Sequence, residues 1–196
     1  MSKGTISLIV IGVVILLLVG GALTSYNGLV QKDEAAATAW SNVQSQYQRR
    51  ADLIPNLVNT VKGYAKHESG TLESVVAARA KATQLTVNAD ELTPEKMKQL
   101  QAAQGELSQA LGRLLMITEN YPELKANENF RDLQAQLEGT ENRINESRRQ
   151  YNEVVKNYNV GIRSFPANIV AGIFGFEKRT PFEAEAGAEK APSVEF

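Results

Sequence analysis

The hydrophobic positions fall into one continuous run followed by several periodic stripes, and the two patterns predict different elements. Ile6 to Leu23, ISLIVIGVVILLLVGGAL, is almost wholly apolar. As a helix its eighteen residues extend about 27 Å, close to the hydrocarbon thickness of a thin bilayer. Tyr26 then falls at interface depth, where an amphipathic ring is comfortable. A retained transmembrane anchor is the expectation. A cleaved signal peptide is the alternative, with Gly20 and Ala22 small enough for a cleavage site. Against it, helix-forming sequence runs on past the apolar part without a polar break.

From Trp40 the pattern becomes a stripe. Trp40, Val43, Tyr47, Ile54, Leu57, Val61 and Tyr64 step by alternating three and four, the period of a helix packed along a narrow seam. The one vacant slot holds Arg50. Pro55 interrupts the stripe without changing its phase. Its ring clashes with the carbonyl of Ala51 and removes a hydrogen bond, at a cost of about 3 kcal/mol unless packing compensates, so a kink rather than a stop is expected. Gly63 and Gly70 bracket the first turn, with Ser69 or Thr71 available to cap the next helix. Leu72 to Leu85 reads as a short alanine-rich helix with Leu72, Val75, Val76, Ala82 and Leu85 inward.

After a connection over 86–92, Thr93 and Pro94 form a helix start, N-cap followed by proline at the first helical position. Met97, Leu100, Ala103, Leu107, Leu111, Leu114 and Ile117 continue that helix, which ends before Pro122. Asn127 caps the last long helix, about 33 residues and roughly 50 Å. Its stripe is Phe130, Leu133, Leu137, Ile144, Tyr151, Val154 and Tyr158, with Thr140 and Ser147 in the remaining slots, and Pro166 ends it. Phe165 to Phe176 is apolar but far too short to span a membrane. From Glu183 the chain is rich in glutamate, alanine, glycine and proline, and disorder is expected.

The predicted class is all-α: an N-terminal transmembrane helix followed by an elongated antiparallel bundle of long, coiled-coil-type helices. The expected segments are an anchor over 1–25, the bundle over 26–165, an apolar C-terminal segment over 166–182 and a disordered tail over 183–196. Parity decides what the apolar segment can touch. With a turn at Gly63–Gly70 four helices alternate, and the last returns Phe165–Phe176 to the anchor. Without it three helices remain, and the segment sits at the far tip. The four-helix arrangement is the expectation.

Composition narrows the function. Lys and Arg number 21 against 22 Asp and Glu, so a basic nucleic-acid-binding surface is not suggested. There is no cysteine, which excludes disulfides, thiolate metal sites and a cysteine nucleophile. The one histidine, His67, lacks the spacing of a helical metal motif, since position 71 is Thr. No phosphate loop, nucleophile elbow or dinucleotide fingerprint occurs. No cofactor is expected. Lys3 and the amino terminus before the apolar run, against Lys32, Asp33 and Glu34 after it, lean towards a cytoplasmic N-terminus and an extracytoplasmic body.

Several polar positions are too particular for helix filler. Arg49, Arg50 and Asp52 form either a partner site or, for Arg50 at the seam, an internal ion pair with Glu141 or Glu146, because an unpaired buried charge is very costly. Asn56, Asn59, Asn142 and Asn152 suit ligand binding or, more commonly on bundle helices, register fixing between facing helices or capping of nearby backbone. In Phe165–Phe176, the residues Phe165, Ile169, Ile173, Phe174 and Phe176 are open to three uses: capping the bundle, lying on the membrane face or touching another protomer.

These residues together resemble the LemA family of bacterial membrane proteins. The resemblance rests on Tyr26-Asn27-Gly28-Leu29-Val30, on Arg49 to Tyr64 with His67-Glu68, and on Tyr121 to Asn127 with Phe130. It continues through Glu141-Asn142-Arg143-Ile144, Arg148-Arg149-Gln150-Tyr151-Asn152 and Phe165-Pro166. It implies one N-terminal transmembrane helix, an antiparallel helical domain, a place in the bacterial inner membrane and no established enzymatic activity. Its relatives include proteins needed for forming magnetosome membranes. The expected function is a non-enzymatic, membrane-anchored scaffold, contacting the bilayer through Ile6–Leu23 and another copy or another membrane protein through its helix faces. The alternative is a regulatory or ligand-sensing subunit of a membrane protease or signalling enzyme, which would need a void among Tyr64, Tyr121 and Tyr151.

Overall fold

Helix-forming sequence continues unbroken from the apolar run into the first stripe, and a single helix results. The structure, a computed structural model, describes residues 3–65 and 67–183. Helix α1, Lys3–Tyr64, is 62 residues long. None of the described residues in its apolar N-terminal run is buried, and its C-terminal part forms one wall of the bundle. Helix α2, Ser69–Gln84, returns along it. A 3-10 turn at Ala89–Glu91 precedes α3, Pro94–Thr118. The short α4, Pro122–Ala126, leads into α5, Glu128–Gly161, and α6 is Ala167–Phe174. All of these elements are helical, so the class is all-α.

The turn at Gly63–Gly70 is real, and four helices alternate in direction. α5 packs along α1, while α2 packs between α1 and α3. The parity expected from the turn therefore holds, and α6 lies against α1 near the end of the apolar run. The lengths are unequal. α2 descends only to the level of Gln44, where the carbonyl of Val87 accepts from Trp40 Nε1 at 2.8 Å and Gln44 Nε2 at 3.0 Å.

The core stacks in three layers. The far layer joins Ile54, Leu57 and Val61 to Val75, Leu114, Leu124 and Phe130. The middle layer joins Trp40 and Val43 to Met97, Leu100, Ile144, Tyr151 and Phe182. The foot joins Leu29 to Tyr158, Ile162, Val170 and Ala171. Thr93 and Asn127 cap their helices as expected, accepting from Lys96 N at 3.2 Å and Phe130 N at 3.0 Å.

Several local expectations need correction. Neither Ser69 nor Thr71 caps α2; Glu68 occupies the N-cap without a capping bond from its side chain, and its carbonyl accepts from Thr71 N and Leu72 N. Val76 faces outward at 51% exposure, and Tyr64 is 40% exposed rather than on the seam. On α5 the fully buried valine is Val155, one residue past Val154. That helix stops at Gly161, before Pro166, which instead stands at the N-cap of α6. Apart from Glu183 itself, the tail expected to be disordered lies outside the described residues.

Candidate functional site

Arg50 occupies the apolar slot and is 1% exposed. A guanidinium in that position needs acceptors on each side. Its Nη1 donates to Glu141 Oε2 at 2.6 Å and to Ser108 Oγ at 2.8 Å, and its Nη2 donates to the side-chain oxygen of Gln104. One arginine thus ties α1 to both α3 and α5. Glu141, not Glu146, is the carboxylate it meets. Glu146 is engaged on its own helix, where hydrogen bonds from Arg149 and then Gln150 hold its carboxyl below the usual range.

One turn further along, α1 continues past Pro55 without ending. Proline has no N–H to offer the carbonyl four residues back. That carbonyl, of Ala51, accepts instead from Arg79 Nε of α2 at 2.7 Å. The proline and the arginine are two halves of one arrangement.

Beyond α6 the chain does something its sequence did not announce. Residues 177–183 form an extended strap running back up the bundle. Asn152 and Asn159, two turns apart on α5, each grip one strap residue through its main chain. Asn152 accepts from Phe182 N at 2.8 Å and donates to Phe182 O at 3.0 Å. Asn159 does the same to Arg179, at 3.0 and 2.8 Å.

Arg179 Nε then reaches Asp33 on α1 at 2.7 Å, while its other nitrogens bond Ala89 O at 2.9 Å and Asp90 at 3.0 Å. Tyr151 donates to Thr180 O at 3.0 Å. Phe182 closes the middle layer beside Trp40 and Tyr151, with the Arg148 guanidinium over its ring. Burial pushes the hydroxyls of Tyr151 and Tyr158 up to about 12. The signal for the strap was modest: Arg179 and Phe182, a charge and a ring in a stretch without periodicity.

At the far end, Tyr121 donates to Glu68 at 3.0 Å, and Asn127 Nδ2 donates to Tyr64 at 3.0 Å. Tyr64 and Tyr121 are thus remote from Tyr151, which lies beside Trp40 in the middle layer. The three tyrosines do not converge, and the void required for a ligand site among them does not form. Asn56 and Asn142 are exposed on their helices rather than between them, which corrects the expectation that they fix register; Asn152 binds the strap. Arg49, Asp52 and Pro55 are also exposed. Among the described residues no group of three or more His, Asp or Glu side chains is placed to hold a metal.

The foot brings α6 to the anchor. Phe174 and Phe176 flank the Tyr26 ring at 4.8 and 5.7 Å between centroids. Val170 and Ala171 are buried against the foot cluster. Phe165, Ile169, Ile173 and Phe174 are 82%, 54%, 72% and 61% exposed.

The sequence model of the LemA family matches residues 39–196. The chain belongs to the LemA family. It is similar to Magnetosome protein MamQ 2 of Paramagnetospirillum magneticum, 28% identical over 189 residues, covering 88% of this chain and 69% of that one. Magnetosome protein MamQ of Magnetospirillum gryphiswaldense is 29% identical over 193 residues with the same coverage. Protein LemA of Metamycoplasma hominis is 26% identical over 145 residues, covering 74% of this chain and 63% of that protein. With the exposed apolar stretch of α1, these relatives make this LemA-family chain a membrane-associated helical protein.

Proposed function

We propose that this protein is a non-enzymatic scaffold, anchored by α1 in the bacterial inner membrane with its bundle on the extracytoplasmic side, and that it works by holding partner chains on its helix faces. The magnetosome relatives support a part in membrane organisation. One observation carries the proposal. Within the stretch 49–64, inward residues such as Arg50 are engaged in internal contacts, whereas Arg49, Asp52 and Asn56 point to solvent. Their spacing of three and four sets them on one side of α1. Exposed charges and amides on a rigid helix suit a protein partner, either a second copy or another membrane protein.

The test is the mass of the full-length protein extracted from its native membrane into nanodiscs. The wild type is expected to carry more than one chain. A variant combining Arg49→Ala, Asp52→Ala and Asn56→Ala is expected as a single chain with an unchanged urea midpoint, since each substitution is at an exposed position. A wild type extracted as a lone chain overturns the proposal.

A further inference from the structure

Helix α6 is apolar on every side, ANIVAGIF, with Asn168 its one polar side chain. A helix of that kind requires apolar surroundings all round. The protein supplies them on one side only, through Tyr26, Leu29, Tyr158 and Ile162. The opposite side carries Ile169 and Ile173, four residues apart, and stands open, and Phe165, just ahead of the helix, is exposed as well.

The depth of this open side is fixed by α1. The apolar run ends at Leu23, and Tyr26 and Leu29 lie about 4.5 and 9 Å further along the axis. The polar layer of a bilayer occupies roughly 5–8 Å outside each face of the hydrocarbon. α6 packs on Tyr26 and Leu29, and so sits at that level or at its outer edge whenever α1 spans.

We propose that α6 is a second membrane contact. It is an interfacial helix whose Ile169–Ile173 face enters the bilayer surface beside α1, so that the bundle is held at two points rather than one. This rests on the membrane-anchored function proposed above. Interfacial helices ordinarily turn a charged face to water; here packing against the foot of the bundle replaces that face. The strap fixes the result. Asn159 and Asp33 hold Arg179, four residues past Gly175, so α6 is tied at its C-terminal end as well as through Ile162. A bilayer is favoured over a second copy because the depth of α6 puts lipid against its open face without any further chain.

The chain has no cysteine, so single labels can be introduced directly. Full-length variants Ile169→Cys, Ile173→Cys, Leu16→Cys and Met116→Cys would each carry an environment-sensitive fluorophore. They would be placed in nanodiscs of phosphatidylcholine and phosphatidylglycerol, and urea midpoints would verify folding. Met116, 72% exposed on α3, is the water-facing reference. The labels at 169 and 173 are expected to be quenched several-fold more by lipids brominated near the headgroup than the label at 116, and to be shielded from aqueous iodide.

Iodide quenching equal to that at 116 overturns the proposal. Shielding from both quenchers, with the mass of two chains, overturns it in favour of a second copy. The label at 16, which lies deep in the apolar run and is read with lipids brominated deep in the acyl chain, separates the two proposals. If it is quenched by lipid while those at 169 and 173 are not, α6 alone is misassigned; if it is not, the anchor falls and α6 with it.

Discussion

At the scale of single residues, Arg50 shows how a seam position can be both legible and incomplete. Its place in the heptad showed that a charge would be buried, and charge balance called for a carboxylate on α5. The neutral acceptors Gln104 and Ser108 on α3 were not foreseen, because glutamine and serine in a helix carry no mark of an inward role. The pair is asymmetric: the Arg50 side chain is 2% exposed and that of Glu141 42%. Glu141→Ala would leave a buried cation with neutral acceptors alone, costing about 3 kcal/mol. Arg50→Met removes the cation and lets Glu141 turn to water, costing about 1–2 kcal/mol through unsatisfied Gln104. Urea midpoints of the full-length variants should rank in that order; the reverse ranking would mean that Glu141 contributes little to holding Arg50.

At the scale of elements, α1 persists through Pro55 because α2 supplies what the proline withholds. That Pro55 would not stop the helix was legible in α1, but the replacement for its lost hydrogen bond was not, since nothing within α1 encodes Arg79. Replacing Arg79 by Ala should cost about 1–2 kcal/mol, the worth of a hydrogen bond to a charged donor. In a Pro55→Ala background the new N–H at 55 can reclaim Ala51 O, and the same substitution should cost close to nothing. The double-mutant cycle should therefore show coupling of about 1 kcal/mol. Additive effects would mean that Arg79 acts elsewhere. The strap teaches the complementary lesson: an element without periodicity is invisible to period counting, however well it is bonded.

At the scale of the whole molecule, the two ends of the described fold are joined, with Asp33 and Arg179 paired across 146 positions of sequence. Stability then responds to tyrosines at that closure and further up the bundle. Burial raises Tyr151 and Tyr158 to about 12. Tyr47 is raised by burial and Tyr121 by its bond to the Glu68 carboxylate. A tyrosine raised in the folded state keeps its proton where the unfolded chain has released it. Its contribution is complete below about pH 10 and is lost as pH rises towards 12. All four shifts have this sign. The urea midpoint should fall steadily over that window, and fall less steeply in a Tyr151→Phe, Tyr158→Phe variant; equal slopes would show that neither hydroxyl titrates with unfolding.

While the parity that returns the chain to its anchor was decided between two readings only by the structure, the sequence by itself determined the all-helical class, the apolar length of α1 and the caps at Thr93 and Asn127. These depend on signals spanning a few residues: a period of three and four, a proline or glycine, a side chain that bonds its own backbone. Only the tertiary structure decided which polar residues turn inward. Arg50 is buried while Arg49 and Asn56 face water, and Asn152 grips a strap while Asn142 does not. It also gave Ala51 its donor and Arg179 its carboxylates. Such pairings depend on the register between helices distant in sequence. That register is set by every contact along the seam at once, and no single stretch contains it.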